Sequence, residues 1–131
     1  MKKELIIKDN KSPFSLKARI RSFRYAFAGL NHFLSSQHNA IIHLFLTIIV
    51  FAAALFFDIS KMETIALVVV TGFVWAAELF NTAIEKLSDL ISEEFHPGIK
   101  FIKDASAAAV LISAIVALLV GMIIFIPKIF L

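Results

Sequence analysis

Residues 105–126, ASAAAVLISAIVALLVGMIIFI, run for 22 positions without one ionisable side chain. As a helix rising 1.5 Å per residue, such a stretch crosses the ~30 Å hydrocarbon core of a bilayer. A second run, AIIHLFLTIIVFAAALFF at 40–57, is interrupted only by His43 and Thr47. Its 18 residues are near the minimum for crossing. Between the two, the sequence is apolar from Thr64 to Ala77, which is too short alone at 14 residues. It crosses only if it continues as a helix through ELFNTAI, so the pattern predicts three spans at about 40–57, 64–84 and 105–126. Composition agrees: 60% of the chain is hydrophobic with mean hydropathy +0.87, above the roughly 45–50% apolar content of a soluble domain. The 131 residues suffice for one domain. With no Cys, disulfides and thiolate metal sites are excluded.

Charge sets the orientation. Eight of the 13 Lys and Arg precede residue 25, against two acids. The 86–104 connection adds Lys86, Lys100 and Lys103, while the 58–63 turn has only Lys61. The positive-inside rule therefore puts the N-terminus and the 86–104 connection in the cytoplasm. Apolar spans after the basic end argue against nucleic acid as a partner and for a bilayer. The first twelve residues lack the apolar core of a signal peptide and are expected to form a partly disordered tail. From Pro13, Leu16, Ile20, Phe23, Phe27, Leu30 and Leu34 repeat at spacings of four and three. They predict an amphipathic surface helix over 14–35, with Lys17, Arg21 and Arg24 on one flank and Arg19 on the other. Anchoring is the plain role of that helix, and phosphate binding by its arginines the sharper one. Pro97 and Gly98 read as punctuation ending any helix that continues from the second span, and Pro127 with Lys128 as the close of the third.

Against this background the stretch VWAAELFNTAIEKLSDL, 74–90, stands out. Ionisable residues at membrane depth are costly and mark functional sites. With Glu78 as zero, Asn81, Glu85 and Asp89 project at roughly −60°, −20° and +20°, so all four share one helix face. The first span enters at the same level with Gln37, Asn39 and His43, and the third leaves it with Lys103 and Asp104. Polar residues near helix ends also snorkel or join helices through hydrogen bonds, which accounts for Asp89, Glu93, Glu94 and Thr82. It accounts poorly for Glu78, the deepest of the set, with no basic residue within a turn on its own helix. His43 fits either role, and His32 and His38 suit the interface. Two carboxylates with an amide between them can hold Mg²⁺, which prefers oxygen ligands and phosphate partners. A carboxylate in apolar surroundings can act as a general base, and Lys103 can offer a point charge to phosphate. No P-loop is present.

AELFNTAIEKLSDLI, followed by HP and then KDASAAAVLISAI, resembles the prokaryotic diacylglycerol kinase family, which also includes undecaprenol kinases. The resemblance runs from about Arg19 to Pro127 and rests on the E-x-x-N-[ST]-A-I-E and K-D-x-x-[AGS]-A-A blocks. Arg21-Ser22-Phe23, Tyr25, Gly29, and the Asn39 and His43 pair support it. It implies a homotrimer of three-span subunits with an N-terminal surface helix and sites shared between neighbours, in the bacterial inner membrane. It further implies transfer of the γ-phosphate of MgATP to a lipid hydroxyl, diacylglycerol giving phosphatidic acid. By position, Glu78 matches the catalytic base, Glu85 a metal-binding carboxylate, Asn81 the motif amide, and Lys103 and Asp104 the nucleotide-contacting pair. Tyr25 and the stretch Glu94 to His96 match positions near the nucleotide. The second metal-binding carboxylate of the family falls at position 37, where this chain has Gln37, which donates an oxygen but no charge.

Three other readings compete. The acceptor could be undecaprenol, as the His96-Pro97 pair and the ending GMIIFIPK suggest, whereas ASAAAVLI suits the diacylglycerol branch equally. A small proton-coupled transporter would carry its Glu near the bilayer middle, but here the carboxylates cluster toward one side. A structural subunit without catalysis has only Gln37 in its favour.

Overall fold

The computed structural model describes residues 15–92 and 94–130, and the expected tail, with Phe14, lies outside them. Every regular element within that range is helical: α1 (Leu16–Ser36), α2 (His38–Phe56), α3 (Lys61–Ile91) and α4 (Pro97–Phe130). The last three are long and apolar enough to cross a membrane. The chain divides between His32 and Phe33 into two compact units.

Most of α1 makes up the described part of the first unit. Ser15 caps it, its Oγ accepting the Ala18 N–H at 3.3 Å, which satisfies one of the first-turn donors. The stripe predicted from the sequence is present, and Leu16, Ile20, Phe23 and Phe27 are all exposed on the chain itself. Arg24 places its guanidinium 5.7 Å from the Tyr25 ring centroid.

The second unit is built from α2, α3 and α4, with α3 packed chiefly on α4. The turn from α2 to α3 is short because Asp58 takes a left-handed backbone conformation (φ 47°), one that Asp tolerates better than most residues. Ser60 and Glu63 then start α3 with a capping box: Glu63 Oε2 accepts the Ser60 N–H at 2.7 Å, and Ser60 Oγ accepts the Glu63 N–H at 3.3 Å. Beside it, Lys128 near the end of α4 reaches Glu63 at 3.6 Å. Ala54, Leu67 and Ile124 form the buried cluster at this end, supported by Val50, Phe51 and Phe125. Elsewhere most large apolar side chains of the three helices face outward, as suits elements whose solvent is lipid.

Two prolines behave differently from the sequence expectation. Pro97 begins α4 instead of closing a helix. Proline is favoured at a first helical position, where its missing N–H would have had no intrahelical partner. His96 caps that start: its Nδ1 accepts the Gly98 N–H at 3.1 Å, and its carbonyl accepts from Lys100 at 3.0 Å. A Cβ at Gly98 would lie 3.2 Å from the His96 ring, so glycine lets the cap close. Pro127 lies inside α4, which continues to Phe130. α3 also runs seven residues beyond the expected end of its span, which keeps Glu85 and Asp89 on one rigid helix with Glu78.

Candidate functional site

α3 organises the polar layer. It buries Glu78 (3% exposed), Asn81 (7%) and Ser88 (4%) on the side that meets its neighbours. A buried carboxylate needs a hydrogen-bonded or charged partner. Lys103, a cation near the start of α4, does not supply it: its Nζ bonds Asp89 at 3.0 Å. Glu78 takes its partner from α2 instead: Oε1 lies 2.8 Å from His43 Nε2. α3 and α4 thus leave Glu78 to a neutral or cationic imidazole, according to its protonation, and not to an ammonium group.

His43 is itself braced. Thr47 Oγ donates to the His43 carbonyl at 2.7 Å, and Trp75 Nε1 donates to Thr47 Oγ at 3.1 Å. The Trp75 indole meets the imidazole edge-on with centroids 6.5 Å apart, and Phe33 in turn meets the indole edge-on at 6.2 Å. Since Trp75 precedes Glu78 by three residues, one turn of α3 carries both the carboxylate and the wall of its partner's ring.

Below Glu78, Asn81 links α3 to α4. Ser106 Oγ donates to Asn81 Oδ1 at 2.7 Å and also lies 2.8 Å from the Lys103 carbonyl. With its oxygen engaged by Ser106, the amide turns Nδ2 toward Glu85 Oε1 at 3.2 Å. Asp104 pairs with Lys100 one turn away on α4. The structure therefore joins Glu78 to His43, and Asn81 to Glu85 and Ser106. Lys103 and Asp104 it assigns to Asp89 and Lys100. Gln37 immediately precedes α2, its amide nitrogen 3.3 Å from Ser36 Oγ. Exposed Glu94 is tied by its backbone to Ser92, His96 is the cap of α4, and Tyr25 belongs to the first unit, stacked by Arg24.

Sequence reasoning missed Ser106, Thr47 and Trp75 as members of this network. Ser106 had been legible only as one of several small residues on α4. The available signal was its place three residues after Lys103, on the turn that enters the layer.

Among the described residues, no three His, Asp or Glu side chains cluster to form a metal site by themselves. Mg²⁺ commonly takes one or two protein carboxylates and completes its shell with phosphates and water. The half-buried Glu85 carboxylate suits that mode, and Gln37 still has an amide oxygen to contribute.

An apolar groove of about 430 Å³ opens between α2, α3 and α4. His43 and Thr47 lie at its polar end, and Val50, Leu67, Ala117 and Phe125 are among its apolar walls. From Trp75 to Leu67 it follows α3 for about 12 Å at 1.5 Å per residue.

The sequence matches known proteins over most of its length. The family model described as prokaryotic diacylglycerol kinase covers residues 24–125. A diacylglycerol kinase of Synechocystis sp. is 36% identical over 107 residues, 81% of this chain but 61% of that protein. An undecaprenol kinase of Bacillus subtilis is 32% identical over 108 residues, 82% of this chain and 88% of that protein. The chain thus spans less than two thirds of the cyanobacterial relative and most of the Bacillus one.

Proposed function

The chain belongs to the prokaryotic diacylglycerol kinase family, and from that premise we propose that it is a membrane lipid kinase using MgATP to phosphorylate a lipid alcohol. The observation that carries the reading is a buried carboxylate, Glu78, bonded to the residue at the polar end of an apolar groove. A lipid whose chain lies in that groove brings its hydroxyl toward the His43–Glu78 pair. An ionised Glu78 accepts the hydroxyl proton as the oxygen bonds to the γ-phosphorus, and the bond to the ADP oxygen breaks. Phosphoryl transfer relies mostly on positioning and electrostatics, so three helices can support it without a soluble nucleotide fold.

Glu85 is the residue that would hold Mg²⁺, with Gln37 as a second oxygen donor. Bound with ATP, the ion neutralises charge on the phosphate oxygens. Asn81 orients Glu85, and Lys103 and Asp104 are assigned to the nucleotide by their match to the family motif, as are Tyr25, Glu94 and His96. The family likeness also supports a homotrimer in the bacterial inner membrane, and the basic N-terminal arm supports a cytoplasmic N-terminus.

Diacylglycerol is the first acceptor to try. Undecaprenol has a specific observation behind it: the relative matched over 88% of its own length bears that activity in its name. Purified protein in detergent micelles, given labelled ATP and either alcohol, separates the two. Drug-driven proton movement in vesicles with no labelled lipid would favour a transporter instead.

A further inference from the structure

We propose that His43 is a positioning residue for the reaction: its Nε2–H holds one oxygen of Glu78 and leaves the other to receive the acceptor's proton. The inference rests on the kinase reading of Glu78 and adds to it a part for an α2 residue that the family likeness did not assign.

The geometry supports a held imidazole rather than a chance neighbour. The Nε2 to Oε1 distance is 2.8 Å, the Glu78 side chain is 4% exposed, and that of His43 is 20% exposed. Thr47 fixes the backbone that carries the ring, Trp75 fixes Thr47, and the indole also bounds the ring itself. An Nε2–H donor gives one oxygen of this buried carboxylate the hydrogen-bond partner that burial demands.

Other charged groups at this level have different partners. On α3, Glu85 lies two turns from Glu78 and takes the Asn81 amide, and Asp89 takes Lys103. On α4, besides Lys103, Lys100 is paired with Asp104. On α2, the remaining titratable side chain is His38 at the first position of the helix. His43 is therefore the titratable side chain bonded to Glu78 among the described residues.

The effect falls on the chemical step. Without the Nε2–H, the Glu78 carboxylate can turn its free oxygen away from the acceptor hydroxyl, so kcat falls. The KM for the lipid alcohol, whose chain lies in the apolar groove, stays near its wild-type value.

The test compares wild type, His43→Ala and His43→Gln as purified oligomers in micelles, with thermal melts to establish folding. In His43→Ala kcat falls about tenfold while KM for the lipid alcohol changes little. His43→Gln, with an amide N–H to offer, restores most of kcat. Folded His43→Ala with unchanged kcat overturns the proposal, as does a loss of kcat that His43→Gln does not restore. Because alanine there can impair folding, nitrogen NMR of His43 in wild type and Glu78→Gln is the second measurement. Loss of the carboxylate acceptor changes the His43 Nε2 chemical shift, and an unchanged shift overturns the pairing. Wild type with no lipid phosphorylation overturns the kinase reading and this inference together, whereas an active wild type with His43→Ala at full kcat overturns this inference alone.

Discussion

Residue by residue, the polar side chains of the layer take what they can do from the neighbours that hold them. Glu78 has His43, so replacing it with Gln keeps the volume and a hydrogen bond but loses the charge and the basicity. Glu78→Gln is expected to lower the lipid phosphorylation rate by at least about 10² while leaving oligomer assembly intact. A purified oligomer retaining more than about a tenth of the wild-type rate would remove Glu78 from the role of base. Gln37 offers the opposite experiment. A carboxylate there adds negative charge toward a cation bound with ATP, so Gln37→Glu is expected to lower the Mg²⁺ concentration for half-maximal rate. An unchanged or raised requirement would detach position 37 from the metal. Neither residue's partner could be read from the sequence. Depth and face are set by spacing along one helix, but the pairing of Glu78 with His43 depends on how α2 and α3 are rotated against each other, which no periodicity records.

At the level of helices, the layer is held by a few interhelical hydrogen bonds. Ser106 satisfies the Asn81 oxygen at 2.7 Å where both side chains are buried. Ser106→Ala leaves that oxygen without its donor and is expected to cost about 1–3 kcal/mol of stability. Thermal or denaturant melts in micelles check it, and a variant as stable as wild type would mean that water or another donor replaces the serine. The helices themselves were largely legible: three apolar stretches became α2, α3 and α4, and the apolar stripe with basic flanks became α1. Their ends were less so. Pro97 was compatible with a stop after one helix or a start of the next, and only the His96 cap and the close approach of Gly98 decide for a start. The continuity of α3 through Asp89 was already implied by the shared face of Glu78, Asn81, Glu85 and Asp89, although the apolar span alone ends near residue 84. Lys103 stands just before the third span in the sequence, and its bond to Asp89 requires the length of α3 beyond residue 84.

The second unit presents an outward apolar surface on each of its membrane helices and a polar layer toward one end. α4 also carries small residues along much of its length, including Ala107, Ala114, Ala117 and Gly121, and small residues permit close helix approach in lipid. Together with the family likeness, this favours an obligate oligomer, a trimer on that likeness, with sites completed by neighbouring chains. Mixing inactive Glu78→Gln subunits with inactive Lys103→Met subunits is then expected to restore part of the activity, because some sites draw both wild-type residues from different chains. Mixed oligomers shown by cross-linking to form, yet without recovery, would put both residues in a site built from one chain. Beneath all of this lies the claim that the layer moves a phosphoryl group onto a lipid. Its most direct measurement is the transfer of label from γ-labelled ATP into the lipid phase by purified protein in micelles, with diacylglycerol and undecaprenol as separate acceptors. Labelled lipid phosphate is expected from at least one alcohol, dependent on Mg²⁺ and on Glu78; label in neither lipid from a folded, oligomeric wild-type protein would rule out phosphoryl transfer by this layer.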